Sequence, residues 1–296
     1  MAKPFSNHVD SMTRDIRITV LMNNEPANDS AGASLQCEHG FSLWIEYNNK
    51  HVLFDTGQSR RLLHNAGQLG IDLAMTDAII LSHGHYDHTG GLAEVLRIAP
   101  MAEIYLHPDA TRNKYGRKGD VLRYNGMPHD TIRGLSGHRI HLTPGPRKIF
   151  PGFIVTGEIP RVNTFEDTGG DFFRDEQGKI TDELPDDQAL FIEFNNGRII
   201  ILGCCHSGVI NTLNYIDQLT GPGITHAIIG GMHLLHADVH RIDSTIKELH
   251  ARNIGRVIPL HCTGNKAVTM MKKSLGYAFV EAGTGSVFTI AGESCL

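Results

Sequence analysis

Cysteine, tryptophan and long apolar runs are scarce in this 296-residue sequence. Its five cysteines (Cys37, Cys204, Cys205, Cys262, Cys295) are odd in number and scattered. That pattern excludes a disulfide framework and predicts a reducing compartment, the cytoplasm. No run of about 18 apolar residues occurs, so no membrane-spanning helix is expected, and residues 1 to 15 lack the apolar stretch of a signal peptide. An excess of positive charge is missing too: 27 Lys and Arg against 32 Asp and Glu give a formal net charge of -5. A general pull toward nucleic acid or an anionic membrane is thereby excluded, and the expected partner is a small molecule recognised locally. Nothing in the sequence speaks to oligomeric state.

Histidine, by contrast, is abundant, with 18 residues. His8, His51, His64, His129, His138 and His250 lie in polar or helical contexts, where a solvated side chain is the expectation. With 41% hydrophobic and 20% charged residues the chain can bury an ordinary enzyme core, and a single domain over 1–296 is expected.

Short runs rich in Val, Ile, Leu and Phe predict strands at 16–22, 41–47, 51–57, 78–84, 153–157, 189–194, 198–203, 226–231 and 256–261. Helical spacing of Val239, Ile242, Ile246 and Leu249 predicts a helix over 239–252. A second helix is expected after Gly90-Gly91-Leu92, and a third from Ser207 toward Gln218 with Ser207 capping its first turn. Early strands follow in quick succession and later ones alternate with helices, which predicts an α/β architecture of two sheets covered by helices. Residues 107–150 and 160–187, rich in Gly, Pro and charge, read as loops or lids.

The chemistry concentrates in LSHGHYDHTGGL, residues 81–92, where a strand ends and four potential ligands follow within six residues. Side chains of His83, His85 and Asp87 can converge, and His88 can face a second centre. Imidazole and carboxylate suit zinc, with iron or manganese as alternatives. The pattern H-x-H-x-D-H after an apolar strand, with LFDTG at 53–57 before it and TGGL after it, resembles the metallo-β-lactamase superfamily. That resemblance implies an αβ/βα sandwich of two mixed sheets flanked by helices, with two divalent metal ions at the edge between the sheets. In that pattern His83 and His85 would hold one ion and Asp87 and His88 the other, each completed from a later strand end. RIIILGCCHSG delivers His206 and RVIPLHCTG delivers His261. His206 would complete the first site and His261 the second. Many members carry Gly-Asp at a strand end as a bridging ligand, whereas this sequence reads Gly203-Cys204-Cys205. Cys204 or Asp187 could take that place. His233, in GGMHLL, is a candidate for substrate contact or support of a ligand.

Further strings, EHGFSLWIE (38–46), LFDTGQS (53–59), TGEIPR (156–161), GCCHSGV (203–209), GGMHLL (230–235) and PLHCTG (259–264), narrow the resemblance. They look like the metal-dependent hydrolase branch whose members are often called 7,8-dihydropterin-6-yl-methyl-4-(β-D-ribofuranosyl)aminobenzene 5′-phosphate synthase. The implied chemistry is attack of metal-bound hydroxide on an ester, thioester, lactone or phosphoester, with Asp87 both ligand and orienter of the water. The competing readings are a transferase or synthase acting on a pterin or aminobenzoate ribose phosphate, and a non-catalytic ligand-binding module. A diiron redox role is disfavoured because flavodiiron relatives place glutamate where His85 stands. Residues 107–150 hold nine basic against three acidic residues, so Lys114, Arg117 and Lys118 are candidate contacts to a phosphorylated substrate.

Overall fold

In the computed structural model residues 15–27 and 34–292 are described. His8, Cys295 and residues 1 to 14 of the segment read for a leader lie outside the described residues. Among the described residues the strands are β1 (Ile16–Met22), β2 (Ser42–Tyr47), β3 (Lys50–Phe54), β4 (Ala78–Ile80), β5 (Glu103–Leu106), β6 (Tyr115–Lys118), β7 (Val121–Tyr124), β8 (Ile140–Leu142), β9 (Arg147–Phe150), β10 (Phe153–Val155), β11 (Phe172–Phe173), β12 (Leu190–Phe194), β13 (Gly197–Leu202), β14 (Ile224–Gly231), β15 (Val257–Leu260) and β16 (Val287–Ile290). The α-helices are α1 (Arg61–Gln68), α2 (Tyr86–Thr89), α3 (Leu92–Ile98), α4 (His129–Gly134), α5 (Val209–Thr220), α6 (Val239–Ala251) and α7 (Asn265–Leu275).

Two mixed sheets dominate, in the orders β16-β1-β2-β3-β4-β5-β8 and β15-β14-β13-β12-β10-β9. In the first, β16 to β3 pair antiparallel and β3, β4, β5 and β8 run parallel. In the second, β9 to β13 pair antiparallel and β13, β14 and β15 run parallel. The alternation of a strand explains why nearly every residue of RIIILG is apolar. Ile199 and Ile201 enter the core shared with Ile18, Ile45 and Val52 of the other sheet, while Ile200 and Leu202 pack outward on Leu213, Ile216 and Ile246 of α5 and α6. On the opposite outer face Leu53, Ile79 and Ile104 pack against Leu62, Leu92 and Val95 of α1 and α3. The layers are therefore helix, sheet, sheet, helix, as expected.

Each of the nine expected strands is present. Two expectations are corrected. The stretches 107–150 and 160–187 are not loops throughout: they carry β6 to β9, α4 and β11, and β11-β6-β7 form a small third sheet. The pattern in β6 (Tyr115–Lys118) and β7 (Val121–Tyr124) is charged and half exposed, so no apolar alternation marks them. Second, Ser207 does not cap α5. The helix starts after Gly208, with the Glu166 carboxylate accepting from the amides of Ile210 and Asn211 at 2.9 Å each. A cap lent by a distant segment has no local signature.

Candidate metal centre

Loops leaving the carboxyl ends of parallel strands in both sheets meet at one edge, where a sheet of this kind leaves room for a ligand. Asp55 follows β3, residues 81–88 follow β4, Cys204 and His206 follow β13, His233 follows β14, and His261 and Cys262 follow β15. Asp55, His233 and His261 hold positive φ values of 57°, 46° and 49°. Such conformations persist in residues with side chains only where the surroundings enforce them.

The turn that carries His83 and His85 is pinned from below. Gly84 donates its amide to Asp186 Oδ2 at 2.8 Å, and Asp186 Oδ1 accepts from Lys114 Nζ at 2.7 Å. A Cβ on residue 84 would lie 2.0 Å from the carbonyl oxygen of Ala110, so only glycine fits there. The buried Asp55 carboxylate accepts from the Ser82 amide (Oδ1) and the Ser82 hydroxyl (Oδ2), both at 2.7 Å, and Oδ2 also faces His88 Nδ1 at 2.7 Å.

The histidines repeat one arrangement. His88 Nδ1 is matched to Asp55, His83 Nδ1 to Ser82 Oγ at 2.9 Å, His206 Nδ1 to the Thr168 carbonyl at 2.9 Å, and His261 Nδ1 to Asn24 Oδ1 at 2.9 Å. With the proton on Nδ1, as the Asp55, Thr168 and Asn24 oxygens require, Nε2 of the neutral ring is left as an acceptor. Those Nε2 atoms crowd together: His88 and His261 stand 3.1 Å apart, and His88 Nε2 is 3.1 Å from Cys204 Sγ. Nitrogen lone pairs facing each other repel unless a proton or a metal cation lies between them. The Nε2 atoms of His85 and His206 are buried without a hydrogen-bond partner, and a coordinated cation is what would satisfy them. The donor set therefore fits a divalent metal.

Two groups of donor atoms stand out, each with all atoms within 4.8 Å of one another: Asp87, His88, Cys204 and His261, and His83, Cys204 and His206. The structure brings His261 to Asp87 and His88, and His206 to His83. His85 stands beside the second group, its Nδ1 2.9 Å from His83 Nε2 and its ring centroid 5.0 Å from that of His206. Cys204 is common to both groups. Asp187 is in neither: it is buried, with Oδ2 accepting from the Ser207 amide at 2.8 Å and Oδ1 unpartnered.

Burial drives the His83 and His206 imidazoles well below their usual pKa and takes His85 to about 3, so all three are neutral and competent as ligands. Burial opposes the charged form of His88 too, but the Asp55 and Asp87 carboxylates outweigh it and pull that pKa up to about 9. Burial likewise opposes ionised Asp87, yet His88, His261 and His39 together hold it well below the carboxylate range.

His39 was not singled out by sequence reasoning. Its Nε2 lies 3.1 Å from Asp87 Oδ2 and the side chain is half exposed; its place inside the EHGFSLWIE string was the available signal. Phe172 was missed as well. Its ring lies 5.2 Å from His85 and 5.1 Å from His206, which brings the small third sheet over the site. The His233 ring lies 4.1 Å from that of His206, tilted by 45°. Lys114, expected at a substrate phosphate, is instead buried between Asp182 (3.1 Å) and Asp186 (2.7 Å) and has no free face. Burial penalises a lone ammonium, and the Asp186 and Asp182 carboxylates outweigh that penalty. Arg117 and Lys118 are exposed, Arg117 lying over the Phe173 ring at 4.7 Å. None of His51, His64, His129, His138 or His250 belongs to a donor group.

The family model described as the metallo-beta-lactamase superfamily matches residues 35–240. This chain belongs to the metallo-β-lactamase superfamily. Within that superfamily it is 31% identical over 276 residues to a 7,8-dihydropterin-6-methyl-4-(beta-D-ribofuranosyl)-aminobenzene-5'-phosphate synthase of Methanocaldococcus jannaschii, covering 88% of this chain and 94% of the relative. It is 31% identical over 101 residues to a hydroxyacylglutathione hydrolase of Aeromonas hydrophila, 32% of this chain and 38% of that one. A solved metal-dependent hydrolase of the beta-lactamase superfamily superposes with a TM-score of 0.80 at 29% identity, over 93% of this chain and 99% of the other. The metallo-β-lactamase sandwich expected from H-x-H-x-D-H is thus the fold observed. No helix among the described residues is long and apolar enough to cross a membrane.

Proposed function

We propose that the chain is a cytoplasmic single-domain hydrolase that holds two divalent cations, zinc before iron or manganese, and cleaves an ester, thioester, lactone or phosphoester of a small molecule. The observation that carries this reading is Cys204, whose sulfur belongs to both donor groups. It stands at the strand end where many relatives place a bridging aspartate, and a thiolate has lone pairs for two ions. His83, His85, His206 and Cys204 would hold one cation, and Asp87, His88, His261 and Cys204 the other. Cations so placed supply the acidity that makes water nucleophilic at neutral pH and the charge that polarises a substrate oxygen.

The chain's own groups do the rest. Asp87 Oδ2, held between His39 at 3.1 Å and His261 at 3.3 Å, is the acceptor that orients the attacking water. His39, half exposed beside it, can carry a proton to solvent. Phe172 shields the His85 and His206 side of the site from bulk water, and the segments around it serve as a lid. Free Cys204 and Cys262 thiols agree with a reducing compartment.

His85→Ala tests the assignment. Metal content by elemental analysis and turnover on a hydrolase substrate panel should fall together while the thermal melt keeps its cooperativity; full metal occupancy in the variant would sink it. A second reading, a synthase acting on a pterin or aminobenzoate ribose phosphate, draws on the match to the M. jannaschii synthase over 88% of this chain. Product analysis in isotopically labelled water separates the two, because only hydrolysis must place solvent oxygen in the product.

A further inference from the structure

Cys262 plays no part in the two donor groups assigned above, yet it is buried at 5% exposure against them. Its Sγ lies 3.4 Å from the Cys204 carbonyl oxygen, and a Cβ at residue 231 would come within 2.7 Å of that sulfur, so Gly231 keeps the space it fills. Cys204, His233 and Cys262 present three donor atoms all within 4.8 Å of one another. The topology explains the convergence. β13, β14 and β15 are adjacent and parallel, and each delivers one member of the trio from its carboxyl end. His233 is held there in a left-handed conformation, φ 46°, with Nδ1 buried and without a hydrogen-bond partner. Backbone strain and an orphaned ring nitrogen both cost free energy, and a ligand in contact with that nitrogen would offset them.

We infer that Cys204, His233 and Cys262 form a third metal position, distinct from the two hydrolytic ones, for a thiophilic cation such as Zn2+, Cd2+ or Cu+. Two sulfurs and one imidazole are a soft donor set without a carboxylate, unlike the group around Asp87. The position shares Cys204 with both other groups. Filling it draws on the lone pairs of that sulfur and weakens the bridge, so an excess of a soft cation acts on the hydrolytic pair from behind. Three protein ligands also leave a fourth place in a tetrahedral shell.

Cadmium alone is the probe, added to the full reduced chain under a phosphine reductant, with bound ions counted after gel filtration and sulfur ligation read from the ultraviolet sulfur-to-cadmium charge-transfer band and from 113Cd magnetic resonance. The wild type should bind about three ions and Cys262→Ser about two, with loss of the resonance of a two-sulfur site. His233→Ala should keep the sulfur signature while weakening that same ion about tenfold or more. Equal stoichiometry and equal charge-transfer intensity in the wild type and Cys262→Ser would overturn the inference, as would a wild type whose Cys204 and Cys262 form a disulfide that survives reduction. The hydrolytic pair is judged separately by metal loss in His85→Ala, so either assignment can fail alone.

Discussion

His88 and His261 turn their Nε2 atoms toward each other at 3.1 Å while Asp55 and Asn24 occupy the two Nδ1 atoms. Two nitrogens this close need a positive centre between them, a metal ion or the proton that the raised pKa of His88 supplies, so the groups behind the rings matter as much as the rings. Asp55→Asn keeps the size of the side chain but removes the carboxylate that faces His88 Nδ1. We expect metal affinity to drop about 10- to 100-fold, read by competition with a chromophoric chelator. Unchanged affinity would remove Asp55 from this role.

Acid should destabilise the chelator-stripped protein. His83, His85 and His206 have pKa values lowered by burial, that of His85 to about 3. The unfolded chain therefore binds protons near pH 6.5 that the folded chain refuses, and the stability present above that value is lost as pH falls toward the folded pKa. Asp87, also lowered, acts in the same direction. His88 acts oppositely: its contribution is complete below about pH 6.5 and is lost as pH rises through about 9. Thermal melts from pH 7 down to pH 4 should show Tm falling, with a shallower slope in His85→Ala; a flat profile would contradict the burial argument.

Lys114→Ala should unfold or severely weaken the protein. Removing the ammonium leaves the buried Asp186 carboxylate without a cationic partner and Asp182 with Arg174 alone, a loss of about 3–5 kcal/mol, and Asp186 also holds the Gly84 amide of the 83–88 turn. Chemical denaturation measures the first effect and metal content the second. A fully stable, fully metallated variant would show that the ion pair is dispensable.

Of the three basic candidates for contact with an anionic substrate, Arg117 and Lys118 are exposed and Lys114 is not. Replacing both by alanine should raise KM for a phosphorylated substrate with little change in kcat, because such contacts bind ground and transition states alike. Steady-state kinetics decide the matter, and an unchanged KM leaves the pair as a solvated surface.

The sequence by itself determined the histidine-rich turn and the strands that frame it. H-x-H-x-D-H is local, its four side chains lie within six residues, and the apolar runs of β1 to β4 and β12 to β15 signal strands because burial on both faces demands apolar residues throughout. It also marked His206 and His261, since a histidine directly after such a run sits at a sheet's carboxyl edge. Tertiary structure alone decided what met them there. That Cys204 is shared between donor groups, that Glu166 caps α5, that His39 reaches Asp87, and that Lys114 is consumed by Asp182 and Asp186 are all contacts between segments 20 or more residues apart. Such contacts depend on the order and direction of strands in the sheets, which no spacing along the chain encodes, and a charged residue in a polar stretch reads the same whether it faces solvent or a buried carboxylate.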